Sequence, residues 1–511
     1  MLLGDIVYFN ALKFPMRKAL VYEEQTFTFA QLQERVNRLS NALLGIAASG
    51  DRIGILAQNC AEYCESLYGV PAAGMALTFL NFRLNPKEIA RIISDAEASV
   101  LIVEKEYLED IAKIRQDIPS VKHVVVIGGG EGCLDYDAWL DAASPDKPQV
   151  RVKEGDMAWL IYTSGTTGMP KGAMLSHKNL MAWACNTLIE WGIPQDCVYM
   201  HTFPMCHMAS IQCITYHLRG CPMVLMRRWD PEVFLQNIQK YRVTQTGLAP
   251  TMINFLIQYP KISDYDTSSL NTINYGASSI PAEVLRRAME IFKGVGYNQL
   301  MGQTETCGGY AILRREDHLK GIMEKPKLLT AAGKDEVLAV TRVVNVKMED
   351  VVPGEIGEIV VQGDQVMMGY WRNPKATEEA FAGGWFHTGD MATIDEEGYI
   401  YVADRKNDMF ISGGENIYPR EVEEVIYKHP AVSEAAVIGV PDKKWGESGI
   451  VVVTLREGMQ ASEEDIINLC KENLASYKKP KMVLFVKEFP KNATGKILKK
   501  NLREYYRTIL E

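Results

Sequence analysis

Helical and strand-like patterns alternate through the first third of the chain, and that alternation points to an α/β fold with largely parallel sheets. Thr28, with Gln31 three residues on, reads as a capping box, and Leu32, Val36, Leu39 and Leu43 follow at helical spacing. The runs 51–56, 100–103 and 121–127 then read as short buried strands. GGGEG at 128–132 follows a strand but precedes no helical pattern, so it reads as a surface turn. Further on, MAWLIY (157–162) and 271–275 are strands that each run into a loop rich in glycine and serine or threonine. From Gly354 the texture changes to short strands and turns, the mark of an antiparallel subdomain or barrel. One core rarely exceeds about 250–300 residues, so a chain of 511 should hold at least two domains. The polar segment 404–408 marks the boundary, with an alternating helix–strand unit after it.

A net charge of −9 argues against a general nucleic-acid binder, because phosphate contacts need a basic field. No run approaches the 18–20 or so apolar residues of a membrane-spanning helix. The first twenty residues lack the basic start and long apolar run of a signal peptide, and the last residues are neither a peroxisomal nor an ER address. The expectation is a cytoplasmic protein. Ten cysteines without a C-x-x-C pair suit a reducing compartment, and eight scattered histidines form no metal pattern. The tail from Lys471 carries eleven Lys/Arg against four Asp/Glu, opposite in sign to the whole chain. It reads equally as a solvated helical face or as a docking surface for a polyphosphate ligand.

The loop after the strand at 157–162 reads Tyr-Thr-Ser-Gly-Thr-Thr-Gly-Met-Pro-Lys-Gly (162–172). A phosphate chain needs backbone N–H groups that approach closely, hydroxyl donors and a cation. Thr163, Ser164, Thr166 and Thr167 supply hydroxyls, Gly165, Gly168 and Gly172 supply backbone freedom, and Lys171 supplies charge. Gly172 follows the lysine where a Walker loop has Ser or Thr for Mg²⁺, which disfavours a kinase or GTPase.

This run resembles the signature loop of the adenylate-forming superfamily, which holds acyl-CoA synthetases, peptide-synthetase adenylation domains and firefly luciferase. The resemblance recurs in order at MGQTET (301–306), GYWRNP (369–374), GWFHTGD (384–390), DRKNDMFISGGENIYPREVE (404–423), VIGVPDKKWGE (437–447) and PKNATGKILK (490–499). It implies a large N-terminal domain (1–404) with two mostly parallel β-sheets flanked by helices plus a small β-barrel subdomain. A hinge (405–407) and a small mobile α+β C-terminal domain (408–511) would follow. The implied substrates are ATP, coenzyme A and a carboxylic acid, with Mg²⁺. The resemblance leaves the oligomeric state open, a homodimer included.

Carried over by position, Asp390 would accept the ribose hydroxyls, Arg405 would contact ribose and phosphates, and Gly276, Ala277 and Ser278 would wall the adenine. Glu305 and Thr163 would hold Mg²⁺ and, with His207, join the catalytic set, and Gly302, Gln303 and Thr304 lie in the same motif as Glu305. Lys496 would be the catalytic lysine, placing a cation between two anions as the carboxylate attacks the α-phosphate. Gly413, Gly414 and Asn416 would line the thiol's channel. Trp445 would stack on the CoA adenine, and Arg83, Lys479 and Lys481 would meet the CoA phosphates.

The chain departs from the family pattern at three positions. Met301 stands where an aromatic residue often stacks on adenine. Ser210 replaces the glycine of His-x-x-Gly after His207, which narrows the expected acyl tunnel. Asn407 stands at the hinge, commonly Asp or Lys, and Asn tolerates unusual dihedrals. His207, Met208, Ser210, Ile211 and 300–310 offer no cation for a second carboxylate. They suit an apolar monocarboxylic acid, fatty or aryl. The expected reaction is acyl-adenylate formation followed by thioester formation. Loading of a carrier protein is the alternative.

Overall fold

The computed structural model describes residues 1–130, 133–163, 170–276, 280–406, 408–412, 415–442, 444–491 and 497–510. Its contacts divide the chain into two compact units, Met1–Thr341 with Val361–Phe386, and Arg342–Val360 with His387–Glu511.

The first unit is built on two sheets. One has eight strands, with a parallel centre formed by Met157–Thr163, Ala76–Phe79, Arg52–Leu56, Val100–Glu104 and His123–Ile127. Lys171–Ser176 pairs antiparallel with Met157–Thr163, and Gly369–Tyr370 pairs antiparallel beyond it. The other sheet has nine strands, and its parallel run includes Tyr199–His201, Gln245–Leu248, Thr272–Gly276 and Gly296–Met301. Their apolar content follows from this placement. Val100, Leu101, Ile102 and Val103 are all fully buried, as expected of a parallel strand covered on both faces.

The capping box forms as the sequence predicts. Thr28 caps the helix Phe29–Leu44, and Leu32, Val36, Leu39 and Leu43 form its buried stripe. The strand expected at 121–127 begins at His123, because Val121 still closes the preceding turn through its N–H to Ile118. The described part of the GGGEG run carries left-handed glycines at Gly128 and Gly129.

The second unit carries part of a four-stranded sheet from strands Ala339–Val344, Gly357–Gly363, Phe386–Ile394 and Ile400–Arg405. A further sheet joins Val432–Asp442, Gly446–Leu455, Phe410–Ser412, Glu415–Ile417 and, in parallel, Met482–Phe485. Helices Pro419–Ile426 and Glu463–Asn473 contribute to one apolar core against this sheet, and Leu502 and Tyr506 of the last helix contribute to another. No helix among the described residues is long and apolar enough to cross a membrane.

In the first unit one charge is wholly enclosed. Glu65, fully buried on the helix Ala61–Ala72, is ion-paired to Arg35 of the helix Phe29–Leu44 and accepts the Tyr136 hydroxyl at 2.8 Å. Removing one partner of a buried pair leaves the other charge uncompensated, which costs about 3–5 kcal/mol. Arg35→Ala is therefore expected to lower the stability of this unit by that amount. The guanidinium midpoint of its unfolding transition checks this, and a loss below about 1 kcal/mol would contradict the pairing.

Candidate active site

The parallel strands of the first unit deliver their glycine-rich turns at their carboxyl ends, where open α/β sheets bind ligands. Thr163 ends the strand Met157–Thr163 and lies opposite Lys171 on the antiparallel partner, with its hydroxyl 3.4 Å from the Lys171 carbonyl. Residues 164–169 between them, including Ser164, Gly165, Thr166, Thr167 and Gly168, lie outside the described residues.

The second sheet supplies the acid. Strand Gly296–Met301 runs through Gly302 and Gln303 into the single turn Thr304–Thr306, where Glu305 is buried at 6% exposure. Its carboxylate accepts the Tyr370 hydroxyl at 2.9 Å and the Thr163 hydroxyl at 3.4 Å. Its backbone carbonyl accepts Met367 N–H at 2.8 Å. The Lys171 ammonium lies 5.0 Å from the Tyr370 ring centre. The Thr163 and Tyr370 hydroxyls thus converge on Glu305, and Lys171 lies against the Tyr370 ring. Sequence reasoning did not single out this tyrosine, although the run GYWRNP that contains it was the available signal.

Glycine is required at Gly302 by close approach: a β-carbon there would fall 2.1 Å from the Gly308 carbonyl oxygen. Gly276 ends the strand Thr272–Gly276 opposite Leu300, and a β-carbon would meet the Leu300 carbonyl at 2.7 Å. Ala277 and Ser278 lie outside the described residues. Met301 is half-buried, and its carbonyl is held by Tyr310 N–H at 2.9 Å.

His207 opens the turn Met208–Ser210, with its Nε2 buried and without a partner. Burial first, and the nearby Arg83 charge second, lower its pKa to about 4. Ser210 is fully buried, and its hydroxyl is tied to the Met205 carbonyl at 2.5 Å, so it is satisfied within its own turn.

In the second unit Asp390 and Arg405 are register partners on neighbouring strands. Arg405 Nε stands 2.7 Å from the Asp390 carboxylate, which is buried at 3% exposure. Arg405 also reaches the Thr388 carbonyl at 3.2 Å, and the Thr388 hydroxyl accepts Asp390 N–H at 3.1 Å. Gly389 between them takes φ +73° within the strand Phe386–Ile394, a conformation that favours glycine. Burial alone would raise Glu358, but hydrogen bonds from His387 and Lys406 hold it below the usual range.

Trp445 sits at the tip of the hairpin Val432–Asp442 to Gly446–Leu455, half exposed, with the Lys444 ammonium 4.6 Å from its ring centre. Asp442 accepts Lys444 N–H and Trp445 N–H, and pairs with Lys481 at 2.8 Å. Lys479 and Asn416 are exposed on the same unit. Asn407, Gly413, Gly414 and Lys496 lie outside the described residues.

One titration follows from the enclosure of His207. A histidine depressed in the folded state adds stability above its unfolded value of about 6.5, and that stability is lost as pH falls toward 4. The His207 imidazole should therefore show no NMR titration step between pH 5 and 8. A midpoint above 6 would contradict the burial.

The family model for AMP-binding enzymes matches residues 8–371, and the model for the C-terminal domain of AMP-binding enzymes matches 421–496. The chain is 38% identical over 496 residues to a feruloyl-CoA synthase of Amycolatopsis sp, covering 96% of each protein. It is 35% identical to the long-chain-fatty-acid–CoA ligase FadD13 of Mycobacterium tuberculosis, covering 94% of this chain and 93% of that one. The crystal structure of the anthranilate CoA ligase AuaEII in complex with anthranoyl-AMP superposes with a TM-score of 0.91 at 28% identity, covering 100% of this chain and 98% of that one. With both sheets and these matches, the chain belongs to the AMP-binding enzyme family, among its AMP-forming acyl-CoA synthetases.

Proposed function

We propose that the enzyme joins an apolar monocarboxylic acid, fatty or aryl, to coenzyme A through an acyl-adenylate. The observation that carries this reading is the convergence of the Thr163 and Tyr370 hydroxyls on the buried Glu305, with Lys171 against the Tyr370 ring, at the two ends of the phosphate-loop sequence. The relatives, a feruloyl-CoA synthase and a long-chain-fatty-acid–CoA ligase, bracket the aryl and fatty classes.

In the first step a carboxylate oxygen attacks the α-phosphorus of ATP, and the bond to pyrophosphate breaks. Both reactants are anions, so the site must supply positive charge and fixed donors before they meet. Lys171 and the loop hydroxyls grip the β- and γ-phosphates, and Lys496 is the cation between carboxylate and α-phosphate. Asp390, pre-oriented by Arg405, accepts the ribose hydroxyls, and Gly276 and Met301 flank the adenine. The buried Glu305 carboxylate and Thr163 hydroxyl offer oxygen donors that suit a hard cation, so the residues fit Mg²⁺, which normally keeps phosphate oxygens and water as its other ligands. Bound there, it would neutralise charge on the phosphate oxygens.

In the second step the thiol of CoA attacks the acyl carbonyl and AMP leaves. Trp445, half exposed beside Lys444 and Lys481, is the platform for the CoA adenine and phosphates, together with Lys479 and Arg83. Gly413, Gly414 and Asn416 line the thiol's approach. The neutral His207 stands at the acyl group, where a charged imidazole would oppose an apolar chain. The hinge at 405–407, between 1–404 and 408–511, belongs to the same proposal, and so does a cytoplasmic setting, which suits ten unbridged thiols. A homodimer is compatible with this reading.

Pyrophosphate release with a panel of fatty and aryl acids, with and without CoA, tests the reading. Turnover that never needs CoA would sink it. Lys496→Ala should cut adenylate formation by at least about 100-fold while leaving thioester formation from supplied acyl-adenylate largely intact. Asn407→Pro should spare the first half-reaction and slow the second, and equal loss of both would count against the hinge.

A further inference from the structure

Two acidic side chains, Asp404 and Asp408, flank the segment 405–407, and the two-step reaction leaves both unused. Asp404 is buried at 6% exposure on the strand Ile400–Arg405, in register with Met391 of the neighbouring strand. Its carboxylate accepts Arg405 N–H at 2.7 Å and, sixteen residues on, Arg420 N–H at 2.8 Å. Arg420 lies in the first turn of the helix Pro419–Ile426. Pro419 has no N–H to satisfy, and the side chain of Tyr418 before it caps nothing, so the carboxylate that meets this helix end comes from Asp404.

A cation joins the same cluster. Lys499 begins the last helix, and its largely buried ammonium stands 2.8 Å from the Glu423 carboxylate on the helix Pro419–Ile426. Burial alone would lower its pKa, but the charges of Glu423, Asp404 and Asp408 outweigh burial and hold it above the usual lysine range. One turn along the same helix, Arg503 pairs with the Asp408 carboxylate and reaches its carbonyl at 3.4 Å.

The residues on either side of 407 are anchored to different elements. Lys406 gives its N–H to the Gly389 carbonyl at 2.9 Å and its ammonium to Glu358 at 3.0 Å, and both acceptors belong to the four-stranded sheet. Asp408 belongs to the last helix through Arg503. A rotation at 407 leaves both anchors whole. Asp404 is placed differently, because its backbone lies in the sheet while Arg420 and Lys499 lie beyond 407. Those two contacts must part when the sides turn. Two backbone bonds, from Asp408 and Met409 N–H to the Arg405 carbonyl, also cross 407, but no side chain controls them.

We infer that Asp404 is a latch across the hinge: its carboxylate, gripped by the Arg420 N–H and facing the Lys499 ammonium, holds the two sides in one arrangement and lets go as the enzyme passes between its half-reactions. This rests on the ligase and hinge reading above. Asp404 and Lys499 are positioning residues in it and touch neither ATP nor CoA. A charge-assisted contact is strong enough to bias the arrangement. It is also reversible, because release strands no charge. Lys499 keeps Glu423, which is itself fixed by Val437 N–H at 2.7 Å, and Asp404 keeps Arg405 N–H.

The test measures the half-reactions separately with the best acid of the panel: single-turnover pyrophosphate release without CoA, and thioester formation from supplied acyl-adenylate. In Asp404→Ala the ratio of the two rates should move at least about fivefold from wild type, the equivalent of one lost cap. Asp404→Asn should move it in the same direction, because its amide turns an NH₂ toward one of the two N–H donors at nearly unchanged volume. Lys499→Met should also move it that way, whereas Lys499→Arg keeps the charge and should stay within about twofold of wild type. Loss of folded enzyme lowers both rates alike and leaves the ratio unmoved. If Lys499→Met does not fold, the two Asp404 variants decide. Ratios within about twofold of wild type in both Asp404 variants, or in a folded Lys499→Met, overturn the latch and leave the ligase reading standing. No CoA-dependent turnover of any acid removes both.

Discussion

The first unit depends on a buried carboxylate shared between two sheets. Glu305 follows the last parallel strand of one sheet, while Thr163 and Tyr370 lie on the other. A carboxylate at 6% exposure must be met by donors, and here both side-chain donors come from the opposite sheet. That requirement sets the turn 302–309 against Thr163 and Tyr370. The turn 302–309 is folded so tightly that a side chain at Gly302 would strike the Gly308 carbonyl.

The second unit uses the same logic between neighbouring strands. Asp390 is held by its register partner Arg405, and the preceding Gly389 takes a left-handed φ, so the carboxylate is fixed in one orientation. Elsewhere in this unit, Asp442 gathers two backbone N–H groups and Lys481 and so fixes the hairpin tip that carries Trp445. In both places a short acidic side chain organises the backbone around a group that faces solvent or ligand. Charges are thus positioned by hydrogen bonds rather than left to long flexible side chains.

Burial also sets charge inside the first unit. His207 and Glu336 are each moved by burial toward the uncharged form, one downward and the other upward.

Much of this was legible in the residues themselves. Helix–strand alternation gave the α/β class, the Thr28 capping box placed a helix start, and the ordered motifs singled out Thr163, Lys171, Glu305, Asp390 and Arg405. Local patterns suffice there because hydrophobic period, turn chemistry and glycine-rich loops are written over a few consecutive residues. Trp183 and Glu336 carry no such local mark, and Tyr370 has only its place in the run GYWRNP. Tyrosine and tryptophan in apolar surroundings look like core, and a lone glutamate looks like surface. Only the tertiary structure brings Trp183 and Glu336 to one glycine and strips water from His207, because contact and desolvation are set by residues far apart in the chain. The sequence by itself determined the chemistry of the loops. Which donors meet which acceptors, and which groups lose their charge, was decided by burial.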